Sequence, residues 1–503
     1  MRRQRNCDRR NVGQSYSRWV TRSAAAIGAL LLGACANTGG VAPHATLADP
    51  AHMAGGFPQA PAHSADEWPH DNWWARWRDP QLDALVAQAI AGSPALRVAQ
   101  ARIDRFAELA IAAGASRYPS ASVSGDVTRT RFARFASPSP PGGNTVWNNA
   151  VGADLSYALD LWGKHRATRE GALSAARAAE ADARFACLTL ETAVVRTYVA
   201  FARTFDQRDV ARATLKRQQD IVGIIERRAT AGLASRFEIT QASTPVAATR
   251  AQIEELDRQI AVLRNELAVL TGEGPGAGMR YARPALRLDV PAALPASLPA
   301  ELIGHRPDIV AARWRVEAAA KGIKAAKADF YPNIDLIASA GLASAAFGGF
   351  FTLINNDAMT HKFGVAMSLP IFDGGLRQGV YGVAVADYDL AVETYNEAVL
   401  AAFRDVANQV VSLQSLARQQ AEIEVSVQSA QHAFDYATRG YRAGLTDYLN
   451  VLSTQTELLQ AQQSLANARA ARLDSWAQLM MALGGGVEVA DAAAPPKETP
   501  DVQ

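Results

Sequence analysis

The chain repeats itself. Ser93-Pro94 opens a segment that ends at Tyr118-Pro119, and Arg306-Pro307 opens one that ends at Tyr331-Pro332, an offset of 213 residues at both landmarks. Leu159-Asp160-Leu161-Trp162-Gly163 stands opposite Ile371-Phe372-Asp373-Gly374-Gly375 at 212, and Ala231-Gly232-Leu233 opposite Ala443-Gly444-Leu445 at 212. Leu270-Thr271-Gly272 closes the first unit as Leu483-Gly484-Gly485 closes the second, again at 213. Landmarks that hold one spacing to within a residue mean a tandem duplication, so the fold is two copies of one unit.

Each copy is built mainly of long helices. No proline occurs from Gly163 to Thr244 or from Ile371 to Ala494, so nothing there stops a helix. Ile253, Leu256, Ile260, Leu263, Leu267 and Leu270 recur at alternating steps of three and four, as do Val392, Tyr395, Val399, Phe403, Val406, Val410 and Leu413 with one step of four repeated. That is the seam of helices packed as coiled coils. Alanine, about a fifth of the chain, suits close helix packing. A single helix over 163–230 would be roughly 100 Å long.

The N-terminus reads as an address. Arg2 to Arg22 is basic, Ser23 to Leu32 is an apolar run of ten, and Leu32-Gly33-Ala34-Cys35 follows. Ten residues are too few to span a bilayer, which takes about 20, so residues 1–34 read as a secretory signal. The small residues before Cys35 resemble a bacterial lipobox, which implies a covalent lipid on Cys35 and cleavage before it. Ala36 resembles the sorting rule for outer-membrane lipoproteins. The long basic region leaves room for a start codon downstream of Met1. Without its 34 leading residues the chain has 44 basic against 48 acidic side chains, and no basic footprint remains for nucleic acid. Cys187, the one cysteine left after Cys7 and Cys35, shares a helical spacing with Leu190, Val194, Tyr198, Phe201 and Phe205 and reads as a small core residue.

Between the helices of each unit the period changes to two. Val151, Ala153, Leu155, Tyr157 and Leu159 alternate with small or polar residues, as do Phe363, Val365, Met367 and Leu369; Ile334 to Leu342 and Ala121 to Val127 make two further sets. Strands are expected at about 120–131, 148–160, 333–344 and 362–371. A half-buried soluble sheet and a membrane barrel share this alternation; the secretory lipoprotein context favours the barrel. Four strands cannot close, and open edges in lipid leave backbone groups unpaired, so the chain must oligomerise. Residues 132–146 and 345–360 would be the hairpin loops.

The organisation is a signal over 1–34, a lipidated tether over 35–79, repeats over 80–272 and 305–486, a connector over 273–304 and a disordered tail over 487–503. His44, His52, His63 and His70 in the tether fit no compact metal motif, and no other cofactor is indicated. No nucleophile elbow, zinc-protease helix or P-loop is present, and Gly272 to Gly278 misses the dinucleotide fingerprint at Ala277, so no enzyme is expected.

Trp73-Trp74-Ala75-Arg76-Trp77-Arg78-Asp79-Pro80-Gln81-Leu82, Leu159-Asp160-Leu161-Trp162-Gly163, Leu369-Pro370-Ile371-Phe372-Asp373-Gly374-Gly375 and Tyr441-Arg442-Ala443-Gly444-Leu445 together resemble the TolC-like outer-membrane efflux proteins, in their lipoprotein or NodT-type branch. The resemblance covers roughly residues 66–486. It implies a mostly α fold with a transmembrane β-barrel part: two tandem helix-strand-strand-helix repeats that form, as a homotrimer, a 12-stranded outer-membrane barrel and a long periplasmic α-helical barrel. It further implies a periplasmic membrane-fusion adaptor and a proton-driven inner-membrane pump as partners, outer-membrane lipid around the barrel, and export of drugs or other small toxic compounds. Protein secretion, metal efflux and a coiled-coil scaffold without a pore stay open as alternatives. Trp68, Trp73, Trp74 and Trp77 are expected to pack the N-terminal segment onto the helices, with a lipid contact as the alternative.

The resemblance also points to a periplasmic gate just after Tyr441. The leucine that forms a ring in related channels falls on Leu449, whereas the usual aspartate one turn further falls on Ser453. Asp447, or Glu238 in the first unit, is the alternative source of negative charge. Pore lining and a structural or ion-pairing role are both open for these two residues.

Overall fold

The structure is a computed structural model that describes residues 38–48, 71–135, 142–286, 305–346 and 356–486. The expected signal over 1–34, Cys35, Trp68, the histidines His52, His63 and His70, most of the connector and the tail over 487–503 lie outside the described residues.

A 3-10 turn at Trp73–Trp77 leads into α1 (Pro80–Gly92) and α2 (Pro94–Ala115). Strands β1 (Ser120–Arg131) and β2 (Thr145–Leu159) follow, then α3 (Lys164–Thr230) and α4 (Arg236–Leu270). After a 3-10 turn at Pro275–Arg280 the order recurs as α5 (Pro307–Ala328), β3 (Asn333–Ala346), β4 (Met359–Ser368), α6 (Leu376–Arg442) and α7 (Tyr448–Ala482). The duplication is kept in the helix lengths: 22 residues for α2 and α5, 67 for α3 and α6, 35 for α4 and α7.

The heptad seams are the buried stripes. Val392, Tyr395, Val399, Phe403, Val406, Val410 and Leu413 are all buried along α6, and Ile253, Leu256, Ile260 and Leu267 along α4. Helix α4 continues through Pro245, where the missing N–H deprives the carbonyl of residue 241 of its usual partner. The seam that follows over the rest of the helix outweighs that local cost.

The four strands form one antiparallel sheet in the order β1-β2-β3-β4. Three of the strands differ in their bounds from the alternation. β2 begins at Thr145, three residues early, and β3 continues to Ala346. β4 runs over Met359–Ser368, three residues before the expected 362–371, because Pro370 has no N–H for a ladder and ends the strand first.

Contacts divide the chain into two compact units, each drawing on both repeats: Met1–Thr46, Asp104–Arg177 and Arg313–Thr394 in one, Leu47–Ile103, Ala178–Ala312 and Tyr395–Gln503 in the other. In the first, the Trp162 indole donates to the Pro332 carbonyl at 2.8 Å and stacks on Tyr331 at 4.7 Å, so landmarks of the two repeats meet directly. Ala326, Phe330, Tyr381 and Val385 form its core cluster. In the second, Trp73 and Trp77 lie buried against Trp476 with ring centroids 5.5 and 5.4 Å away, which is the packing role expected of the tryptophans.

The tether departs from the sequence reading in one place. The segment 38–48, part of the tether and without periodicity in its sequence, lies on α6: the backbone N–H groups of His44 and Ala45 donate to Asp389, and that of Ala48 to Asn396. Backbone amides found partners where the side chains carried no periodic signal.

Candidate functional site

Two features concern function: the faces of the sheet and the two turns that join the long helices.

Register sorts the sheet by face. One rung runs Ala121, Leu155, Ala338, Phe363 and the next on the same side Val123, Ala153, Ala340, His361. The opposite side has Ser122, Asp154, Ser339, Lys362, and beside it Ser124, Gly152, Gly341, Thr360. Phe363, Val365 and Met367 are 85%, 65% and 72% exposed, so the apolar side has no cover among the described residues. β1 and β4 each pair on one edge only among the described residues. An exposed apolar face behind a polar one is the division a barrel wall needs between lipid and water.

The turns are built alike. At the first, Gly232 has φ of +74°, its N–H donates to the Ala229 carbonyl at 3.0 Å, and Leu233 N–H to Arg228 O at 2.8 Å. At the second, Gly444 has φ of +76°, with Gly444 N–H to Tyr441 O at 3.1 Å and Leu445 N–H to Gly440 O at 2.9 Å. This left-handed glycine cap satisfies the last carbonyls of α3 and α6 and turns the chain back within five residues. Beneath the turns Ile221, Ile225, Phe434, Tyr441, Tyr448, Val451 and Leu458 share one core.

The expected gate residues separate into two groups. Tyr441 is 3% exposed and packs edge-on to Tyr448 at 6.2 Å, so it belongs to the core and not to a free surface. Among the described residues its buried hydroxyl has no partner, and burial raises its pKa. Asp447 is the N-cap of α7, accepting from Asn450 N–H at 3.1 Å. Glu238 closes a capping box with Ser235 at the start of α4. Both carboxylates therefore hold helix ends, where the peptide dipoles favour negative charge.

Leu449 and Ser453 form the second group. Leu449 is 56% exposed on the first turn of α7. Ser453, one turn on, is exposed, and its hydroxyl donates to Glu457 Oε1 at 3.4 Å. Leu449, Ser453 and Glu457 thus share one exposed helix face at steps of four. Sequence reasoning missed Glu457; the signal was there, since it continues the same spacing one turn beyond Ser453.

Cys187 is half-buried on the shoulder of the α3 stripe, where Leu188 and Glu191 take the buried positions. Burial, with Glu191 beside it, pushes its thiol up to about 12, so it stays protonated and inert. Among the described residues no group of three or more His, Cys, Asp or Glu is placed to hold a metal.

The family described as outer membrane efflux protein matches the chain twice, over residues 85–273 and 298–485, one match per repeat. The fusaric acid resistance protein FusA of Burkholderia cepacia is 38% identical over 361 residues, 71% of this chain and 68% of that one. The pyoverdine export outer membrane protein OpmQ of Pseudomonas aeruginosa is 32% identical over 463 residues, 91% of this chain and 95% of the relative. The crystal structure of the outer membrane protein VceC of Vibrio cholerae superposes with a TM-score of 0.78 at 33% identity, covering 83% of this chain and all of that one. The chain belongs to the outer membrane efflux protein family and is an efflux channel protein of the outer membrane.

Proposed function

We propose that this chain is the exit duct of a three-part efflux system, a homotrimer anchored by a lipid on Cys35 that exports drugs or other small toxic organic compounds. The observation that carries the reading is the sheet: four strands with an apolar and a polar face and two unpaired edges. Three copies complete a barrel of twelve strands and leave no edge in lipid. The duct supplies no chemistry of its own. A periplasmic adaptor and a proton-driven inner-membrane pump provide recognition and energy. The names of the relatives support small organic cargo, since they include fusaric acid resistance and pyoverdine export.

The closed end is an apolar constriction contributed by Leu449 from each copy. Glu457, held by Ser453, supplies the negative charge two turns further along α7. Such a constriction blocks by bulk and by dewetting. Opening separates α3 from α6 at the Gly232 and Gly444 turns.

Three measurements test this reading. Native mass spectrometry of the detergent-extracted protein should give about three protomer masses, and mass spectrometry of the mature N-terminal peptide should find Cys35 acylated. A deletion strain should become more susceptible to apolar toxicants. A lipid-inserted monomer with an unchanged susceptibility profile would reject it.

A further inference from the structure

The apolar side of the sheet changes its chemistry along β1. Val123 and Val127 are 80% and 52% exposed on that side, and the next two positions of the same alternation are Arg129 and Arg131, both exposed. The pairing of β1 with β2 runs unbroken from Ser120 to Arg131, so no bulge turns the two arginines to the polar face. Arg129 pairs with Trp147 across the ladder, and its guanidinium lies 5.7 Å over that ring. The ladder carries on past the strand, through Phe132 N–H to Asn144 O and Gly143 N–H to Phe132 O, both 3.0 Å, and sets the exposed side chain of Arg134 beside Gly143.

This end of the sheet is the outer one. The helices extend into the periplasm and join the strands at Ser120, Leu159, Asn333 and Ser368, and Tyr118, 74% exposed just before β1, marks the rim on their side. At about 3.4 Å per residue and a tilt of about 40°, Arg129 stands roughly 23 Å and Arg131 roughly 29 Å from Ser120 along the membrane normal. The apolar band of such a barrel is about 25 Å tall, so the two guanidiniums fall at its outer edge, where a charge on the lipid side costs least. From Val127 to Asn149 the sequence has three arginines and no acidic residue. Asp126 is on the polar face, where it accepts from the Thr128 hydroxyl at 3.4 Å, and Asp357 belongs to the other hairpin. A positive rim without carboxylates of its own is complementary to an anion.

We infer that Arg129, Arg131 and Arg134 bind the phosphate groups of a phosphorylated glycolipid in the outer leaflet, with Trp147 against the base of its acyl chains. Guanidinium forks match phosphate oxygens two at a time, and tryptophan favours the headgroup level. Side chains two apart on one face of a strand stand about 7 Å from each other, so the rim offers more than one phosphate position. A diacyl phospholipid such as phosphatidylglycerol brings one phosphate, whereas a glycolipid phosphorylated on its sugars brings several. The inference rests on the reading of the apolar side as the lipid-facing one.

The test uses the full-length protein in detergent micelles, with native mass spectrometry counting bound bisphosphorylated lipid A, the same lipid without its phosphates, and phosphatidylglycerol. The bisphosphorylated form should bind tightest to the wild type. Arg129→Gln with Arg131→Gln should weaken that binding by roughly tenfold or more while the oligomeric mass stays the same. Arg129→Lys with Arg131→Lys keeps the charge without the fork and should restore only part of it. Lys362→Gln, on the polar face, should leave binding unchanged. Unchanged binding in the double glutamine variant, a loss as large in Lys362→Gln, or equal binding of phosphatidylglycerol or of the dephosphorylated lipid would overturn the inference. A nitroxide attached through Val123→Cys in a Cys187→Ala background reports the face after reconstitution in vesicles. More frequent collision with aqueous nickel than with oxygen would instead remove the lipid-facing reading on which the inference rests.

Discussion

Arg228 and Tyr441, one from each repeat, hold each other across the two turns. The Arg228 guanidinium donates to the Tyr441 carbonyl at 2.8 Å and lies 4.8 Å over the same residue's ring. The carbonyl it binds also accepts from Gly444 N–H, so one guanidinium fastens the end of α6 to the end of α3.

Arg228→Ala should loosen that fastening by about 1–2 kcal/mol, the scale of a charge-assisted hydrogen bond with a partly buried cation–π contact. Hydrogen exchange at the Leu445 amide, bonded to Gly440 O, should quicken relative to amides in the middle of α6. Arg228→Lys keeps the charge but not the planar fork, and should recover only part of the protection. Unchanged exchange in both variants would mean that the turn is held by its glycine cap alone.

Leu449→Ala should raise resting conductance in planar bilayers and admit bulky antibiotics, whereas Ser453→Ala should change little. Glu457→Gln should weaken any preference for cations without opening the channel. A conductance unmoved by Leu449→Ala but raised by neutralising Asp447 or Glu238 would make the closure an ionic clasp.

Asp79 is 3% exposed and accepts from Tyr198 Oη at 2.7 Å, from Ala285 N–H at 2.7 Å and from Gln81 N–H at 3.0 Å. Tyr198→Phe removes one of these and should cost about 1 kcal/mol. Asp79→Ala strands the buried Tyr198 hydroxyl, at about 1–3 kcal/mol, together with two partly buried backbone donors, and should lower the thermal midpoint far more. Equal losses in the two variants would show that the tyrosine ring matters and the carboxylate does not.

Glu191 is 9% exposed and accepts a hydrogen bond from the Cys187 thiol at 3.4 Å. Burial, reinforced by Asp71, pushes its carboxyl up to about 7 from 4.5, while the bond from Cys187 opposes the shift. Between those pH values the folded chain keeps a proton that the unfolded chain releases, so stability falls as pH rises from 4.5 and the penalty is complete above about 7. Glu191→Gln should match the wild type in unfolding free energy at pH 4.5 and exceed it at pH 8, by on the order of 3 kcal/mol. A gap that did not change with pH would rule out Glu191 as the titrating group.

The duplication and the long helices were legible because proline absence and heptad spacing act on every residue of a helix. The alternation of Val151, Ala153 and Leu155 against Asp154 and Ser156 likewise fixed which face of β2 is polar. Strand ends were less legible, since backbone pairing carried β2 back to Thr145 beyond any side-chain pattern. The strap was invisible for the same reason, as His44 and Ala45 bind through main-chain N–H groups that every residue but proline has. At the turns, the Ala-Gly-Leu motifs announced the chain reversal. Nothing in the sequence said that Asp447 and Glu238 would be occupied as helix caps or that Tyr441 would face inward. Those outcomes depend on which side of each helix meets its neighbour.

The equal lengths of α3 and α6, and of α4 and α7, constrain how such a chain can change over generations. Adding two turns to α3 alone would carry its turn out of reach of Tyr441, leaving Arg228 without a carbonyl and the shared core without half of its members. A lineage that alters the span of its helices must therefore accept matching insertions at four separate places, or none. The strands show no such pairing of lengths, since β1 to β4 span 12, 15, 14 and 10 residues.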